Sequence, residues 1–427
     1  METRKVAIAC QGGGIHGAFT CGVLDRLLHS KEIEQDSTPG GAPADASANA
    51  RRRFEIVGLS GTSAGALNAF MVWYGLLNHR GQPDAFAAAR QALNHLWDTF
   101  QVNKLGEAGI NALTQYFYTL SESGVSVKQT HPAEYSDWLM ATLNSWSRFE
   151  NLLAPKLDLG EVRPEFYDFM ALLKTCAPDF VDLQPRLDEV ARQRIPPRLL
   201  LGAVEILSGR FEAFDSWSCP DTPPEQRRPI SYQAVAASGT LPDLRRAQRV
   251  PGLKNDDGQE ALYWDGVFSQ NPPIREFAAS TCCEETPDEI WVIRINPQKR
   301  TSEPTKLAAI EDRRNELSGN LSLFQELRFI ETVNQWLARI EQFTDADAPL
   351  RAAFANYKPI TVYMLTMAPD HAELGLASKF DRSPAFVQRL REHGAARAEQ
   401  FLPLWQAASP ELLTWPTGDA LARLDGG

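Results

Sequence analysis

One serine in this chain of 427 residues stands where nucleophilic chemistry is possible. Ser63 lies in Gly61-Thr62-Ser63-Ala64-Gly65, a G-x-S-x-G run. Before it, Phe54 to Leu59 reads as a short strand; after it, Leu67, Phe70, Met71 and Tyr74 fall at helical spacing. A serine on a sharp strand-to-helix turn is lifted clear of the sheet, and small neighbours permit that turn. The helix behind it presents unpaired N–H groups and the positive end of its dipole, both of which favour developing negative charge. The same residues also fit a serine that merely caps an ordinary helix, with glycines for close packing.

A second feature is Gln11-Gly12-Gly13-Gly14-Ile15-His16-Gly17. It follows an apolar run, Lys5 to Cys10, and opens a helical pattern from about 16 to 29. Gly12, Gly14 and Gly17 satisfy G-x-G-x-x-G, the dinucleotide fingerprint. That use needs an acidic residue near the end of the second strand, and Val57-Gly58-Leu59-Ser60 offers none. The other use is an oxyanion hole, because consecutive glycines expose N–H groups that can point at one oxygen. Adjacent parallel strands would bring the two turns together, which favours the oxyanion hole over a turn that only needs glycine's freedom. No nucleotide cofactor and no metal are expected.

A serine hydroxyl needs a proton acceptor. The seven histidines are His16, His29, His79, His95, His131, His371 and His393. Only His371 and His393 lie late enough for the chain order of an α/β-hydrolase. His393 sits in a charged helical pattern and reads as solvated; His371 follows a strand-like run and stays open as a partner for Ser63. The stronger acceptor is Asp265, which ends the apolar run Ala261 to Trp264 and is followed by Gly266. An ordinary Asp-Gly turn is its plain alternative.

Taken together, these residues resemble the patatin-like phospholipase family. The glycine loop, Gly61-Thr62-Ser63-Ala64-Gly65, Ala237-Ser238-Gly239-Thr240-Leu241-Pro242 and Asp265-Gly266-Val267 look like that family's four motifs in order, over roughly residues 5–295. The resemblance implies a Ser–Asp dyad of Ser63 and Asp265, an oxyanion hole from Gly12, Gly13, Gly14 and Ala64, and support from Gly61, Gly65 and Gly266. It implies hydrolysis of lipid acyl esters, phospholipids included, with no cofactor. Two positions depart from the pattern: His16 stands where the family usually has Arg or Lys, and Val267 where it has Gly or Ala. An esterase using Ser63 with His371, and a non-catalytic binding module on the same fold, are the competing classes.

The elements that must position these groups follow from the hydrophobic pattern. Strands at 198–206 and 211–214 read as a hairpin, with further strands at 289–295 and 360–365 and a short helix at 231–237. Helical patterns fill 83–192, 303–343 and 383–406. Strands alternating with helices imply an α/β fold, a mostly parallel sheet flanked by helices in a three-layer sandwich. The expected division is a catalytic domain at 1–300 and a mostly helical extension at 301–427. The aromatic stretch 107–150, with Trp138, Trp146 and Phe149, reads as core packing, or less readily as an acyl pocket or lid. The loop 36–53 ends in Arg51-Arg52-Arg53, most simply a solvated charge run.

Composition bounds the partners. A net charge of -11 argues against nucleic acid and against long-range attraction to an anionic membrane. The N-terminal apolar run is too short for a secretory signal, and no run approaches the ~18 apolar residues of a spanning helix. Cys10, Cys21, Cys176, Cys219, Cys282 and Cys283 form no C-x-x-C pair and read as reduced thiols. The expectation is a cytoplasmic protein with transient peripheral contact at the inner membrane face.

Overall fold

The computed structural model describes residues 2–33, 52–122, 162–242, 245–278, 284–300, 302–340, 352, 354–367, 374–409, 412 and 414–415. Within them the strands are β1 (Glu2–Cys10), β2 (Arg52–Gly61), β3 (Arg198–Glu205), β4 (Phe211–Asp215), β5 (Gln248–Lys254), β6 (Glu260–Asp265), β7 (Glu289–Arg294), β8 (Thr361–Thr366) and β9 (Thr414–Trp415). They form one sheet in the order β5-β6-β3-β2-β1-β7-β8-β9, with β4 also paired to β3. The five central strands, β3 to β8 in that order, run parallel, and the edges are antiparallel.

The strand residues divide between two cores according to their parity, as a sheet covered on both faces requires. Val6, Ile8 and Cys10 of β1, Trp291 and Ile293 of β7, and Tyr363 and Leu365 of β8 enter the larger core. Ala7 and Ala9, Ile290 and Val292, and Val362 and Met364 enter the smaller one. The larger core is covered by α1 (Gly17–Leu28), α2 (Ala64–Asn78), α3 (Ala85–Phe100), α5 (Phe169–Cys176), α7 (Tyr232–Ser238) and α9 (Pro384–Gln406), with α4 (Leu105–Glu122) and α6 (Gln184–Gln193) further along the chain. The opposite face is covered by α8 (Leu307–Ile340), whose Leu323, Leu327 and Ile330 recur at helical spacing and are buried. The fold is thus the expected three-layer α/β arrangement.

Residues beyond 300 are continuous with this sheet. β8 pairs with β7 over six residues, and α9 packs directly on α1. Gly22 faces the Arg391 carbonyl and Gly394 faces the Phe19 carbonyl, so the two backbones touch where any side chain would hold them apart. That crossing also corrects the reading of His393. Its ring is half-buried and lies edge-on to Phe19, with centroids 5.4 Å apart, because α9 is a packed helix and not a solvated one. Among the described residues, no helix is long and apolar enough to cross a membrane.

Candidate active site

The register between β1 and β2 brings the two glycine-rich turns together. Cys10 is paired with Gly61, so both strands end at the same level and the next residues of each enter adjacent turns. The contact is tight. A Cβ on Gly12 would lie 2.5 Å from the Thr62 carbonyl oxygen and 2.7 Å from the Ser63 Cβ. Gly17, at the start of α1, similarly faces Ala64 at 2.6 Å.

Ser63 adopts φ 57° and ψ -126° at the N-terminus of α2. Positive φ is costly for a residue with a Cβ and persists only where the surroundings enforce it. Here they do: Gly61 faces the Gly65 carbonyl, Gly65 faces the Cys10 carbonyl, and neither position has room for a side chain. The Ser63 N–H donates to both the carbonyl and the hydroxyl oxygen of Ser238, at 3.0 and 3.1 Å. Ser63 caps no N–H with its own side chain, which sets it apart from an ordinary helix-capping serine. It is partly exposed between buried neighbours.

Asp265 is the last residue of β6, opposite Ala203 of β3, and is fully buried. Its N–H donates to the Thr240 carbonyl at 2.8 Å. The segment from Ala237 to Pro242 therefore holds Ser63 with one residue and Asp265 with another. Gly266 faces the Gly202 carbonyl, and a Cβ there would also lie 3.0 Å from the Thr62 Cγ2, so the aspartate turn closes onto the serine turn. The Thr62 hydroxyl donates to the Gln270 carbonyl at 2.6 Å and ties them again.

The Asp265 carboxyl is only half satisfied. Oδ1 accepts from the Val267 N–H at 2.9 Å. Oδ2 makes no hydrogen bond of ordinary geometry among the described residues. Burial raises the carboxyl pKa from 3.8 to about 7, against the opposing pull of the Val267 N–H and the Ser63 hydroxyl. The serine is therefore near enough to favour the ionised carboxylate, though looser than a formed hydrogen bond.

The glycine loop divides into one occupied donor and several open ones. The Gly12 N–H donates to Asn271 Oδ1 at 2.7 Å and is committed there. Gly13 and Gly14 are partly exposed, and among the described residues no acceptor meets the N–H of Gly13, Gly14 or Ala64. Gly14 sits at φ 61° with the Lys379 carbonyl oxygen 2.5 Å from where a Cβ would stand, so only glycine fits.

His16 is buried, and its Nε2 lies 2.8 Å from the Ser378 hydroxyl. Ser378 and Lys379 belong to a short turn, Leu376–Phe380, that lies over the glycine loop. Val267 is buried and its Cγ2 lies 3.5 Å from where a Cβ on Gly319 of α8 would stand, so the larger side chain at this position fills a helix contact. His371, Trp138, Trp146, Phe149 and Arg51 lie outside the described residues.

Three neighbours of the glycine loop carried no signal of their contacts in the sequence. Asn271 and Asn296 are buried amides that converge on Gly12, and the buried Gln11 amide accepts from the Ile295 and Asn296 N–H groups. Gln11 was visible as part of the loop, but its acceptor role depends on residues some 284 positions away. Asn271 stood in an Asn-Pro turn without a partner to suggest its use.

Among curated proteins, none matches the chain. Among solved structures, VipD from Legionella pneumophila is similar to it at 14% identity and a TM-score of 0.35, over 94% of this chain and 67% of that one. A sequence model of the patatin-like phospholipase family matches residues 8–278, which is more than half of the chain and spans both glycine turns, the Ala237–Pro242 segment and Asp265. On that match the chain belongs to the patatin-like phospholipase family.

Proposed function

We propose that this protein is a serine acyl hydrolase of lipid esters, phospholipids included, in which Ser63 is the nucleophile and Asp265 its base. Family membership supports lipid acyl hydrolysis in general terms. The observation that carries the assignment of roles is the buried Asp265 carboxyl: among the described residues, one of its oxygens is unpartnered and Ser63 is the one side chain that acts on its ionisation. Among the described residues, which do not include His371, no histidine acts on it.

The chemistry follows from that pair. The ionised Asp265 takes the Ser63 hydroxyl proton while Oγ attacks the ester carbonyl carbon. The carbonyl oxygen becomes an oxyanion facing the open N–H groups of Gly13, Gly14 and Ala64. Collapse releases the alcohol or lysolipid with the proton. Water, deprotonated by Asp265, then attacks the acyl carbon; the acyl–Oγ bond breaks, the fatty acid leaves and Asp265 returns the proton to Ser63 Oγ. Residues 1–300 supply this chemistry, and the described elements beyond 300 extend the same sheet and cover its faces. Such an enzyme meets its substrate by transient contact with a bilayer surface on the cytoplasmic side.

The test is a fluorophosphonate probe with intact mass and peptide mapping, alongside hydrolysis of a short-chain p-nitrophenyl ester. The adduct is expected on the peptide containing Gly61 to Gly65, and Ser63→Ala is expected to lose both labelling and turnover. Since Asp265 works only when ionised, kcat/KM should fall about tenfold per pH unit below pH 7. A retained adduct or undiminished turnover in Ser63→Ala overturns the assignment. A loss of a hundredfold or more in a folded His371→Ala variant, about 2.7 kcal/mol in barrier, moves it to a Ser–His esterase.

A further inference from the structure

An oxyanion hole built on consecutive glycines has a weakness. With no side chain on either flank, the peptide between two glycines meets little steric resistance to rotation. The peptide unit is planar and trans, so its C=O and the following N–H point in opposite directions. Rotating the Gly12–Gly13 unit by half a turn would present a carbonyl oxygen where a donor is needed, and repel the oxyanion.

This chain holds that peptide by its carbonyl. Asn296 Nδ2 donates to the Gly12 carbonyl oxygen at 2.8 Å. With the C=O fixed on that side, the Gly13 N–H is fixed on the other. Asn296 is itself immobilised: its N–H and that of Ile295 donate to Gln11 Oε1, at 2.9 and 3.0 Å. Gln11 Nε2 donates to Asn320 Oδ1 at 3.0 Å, and Asn320 Nδ2 donates to the Pro297 carbonyl at 3.0 Å. All three amide side chains are buried. In such surroundings a lost partner leaves a desolvated carbonyl, so the arrangement is held firmly.

We infer that Asn296 is a positioning residue that sets the Gly13 N–H toward the Ser63 side by clamping the Gly12 carbonyl. It touches no reacting atom and acts through the loop. The inference rests on the Ser63 reading proposed above and adds to it a residue beyond the span that the family model matches.

The experiment measures kcat and KM on a short-chain p-nitrophenyl ester for wild type, Asn296→Ala and Asn296→Asp, together with inhibition by a trifluoromethyl ketone of the same chain length. The ketone adds Ser63 Oγ to form an oxyanion adduct, whereas the ester's KM reports ground-state binding. Both variants should lower kcat by about 10- to 100-fold, within the range of losing one oxyanion donor. KM should stay within about twofold, and the ketone inhibition constant should rise by the same factor as kcat falls. A merely structural role would not move ketone affinity and kcat in parallel at constant KM. Asn296→Asp preserves shape and tests the donor if Asn296→Ala does not fold. Wild-type kcat and ketone affinity in either folded variant overturn the inference while leaving Ser63 in place. Failure of the fluorophosphonate to label Ser63 in wild type overturns both.

Discussion

At the end of β2, backbone touches backbone: Gly61 faces the Gly65 carbonyl, Gly65 faces the Cys10 carbonyl, and Ser63 is held at φ 57° between them. At the end of β1, the backbone is held by side chains from elsewhere: Asn271 takes the Gly12 N–H and Asn296 supports the Gly12 carbonyl. The first turn is fixed by steric exclusion, which residues a few positions apart can impose by being small. The second is fixed by hydrogen bonds, which need partners brought in by the fold. The steric turn tolerates no added atom; the hydrogen-bonded turn has room to yield at Gly13, where a Cβ meets a flexible side chain, though not at Gly12 or Gly14, and it tolerates no lost partner.

The largest effect that sharpens this contrast belongs to the carboxylate lying against the serine turn. Asp265→Asn keeps shape and removes the proposed base, so turnover should fall about 10²- to 10⁴-fold. Stability should move the other way. The folded carboxyl holds its proton up to about pH 7 while an unfolded one releases it near 3.8. Between these values the folded state binds more protons, so wild-type stability declines as pH rises through the window and stays reduced above it. Denaturant midpoints should therefore place Asp265→Asn above wild type at pH 8, with the gap closing as pH falls toward 4. A variant that is destabilised at pH 8 would mean that the carboxylate is better solvated than its burial indicates.

An intermediate effect comes from adding one methyl group to each turn. In Gly65→Ala the new Cβ meets the Cys10 carbonyl, which is backbone and cannot yield. Overpacking of this kind costs about 1–3 kcal/mol, sometimes more. In Gly13→Ala the Cβ meets the Ile295 Cδ1 at 2.8 Å, the far end of a flexible side chain. Here the fold should survive with a midpoint near wild type while kcat drops about 10²–10³-fold. Equal stability losses in the two variants would erase the distinction between the turns.

The smallest effect is assigned to the turn over the glycine loop. Ser378→Ala removes a hydroxyl 2.8 Å from His16 Nε2 that also donates to the Gly375 carbonyl at 2.7 Å. A net loss of about 1 kcal/mol is expected, with kcat within a factor of three. A tenfold fall in kcat at unchanged stability would place His16 closer to the chemistry than packing alone does.

The same contrast explains what could be read from the sequence. Ser63, its flanking glycines and the strands β1 and β2 were legible because steric demands write themselves locally, as small residues at fixed spacing. Asp265 was legible from its strand-end position beside Gly266, and burial settles the direction of its pKa, which residue types alone left open. The amides Asn271 and Asn296 were not legible, because each is an ordinary polar residue until the sheet carries it to Gly12. β5 was missed for a related reason. Pro251 and Gly252 interrupt it, only Val250 and Leu253 are buried, and its register with β6 shifts between Arg249 and Lys254. Such a strand survives at a sheet edge, where its partner and not its own pattern defines it.

The clamp on Gly12 also sets an order in time. Gly12 is synthesised well before Asn296, which follows 284 residues later. Ser378, opposite His16, comes 362 residues after its partner. At about 5–20 residues per second, the interval between Gly12 and Asn296 is roughly 15–60 s. Throughout it the serine turn can already have formed against β1 while the loop beside it lacks the amide that orients it. A nascent chain paused before residue 296 would thus display Ser63 with the proposed oxyanion site incomplete, and competence would wait for Asn296 to emerge.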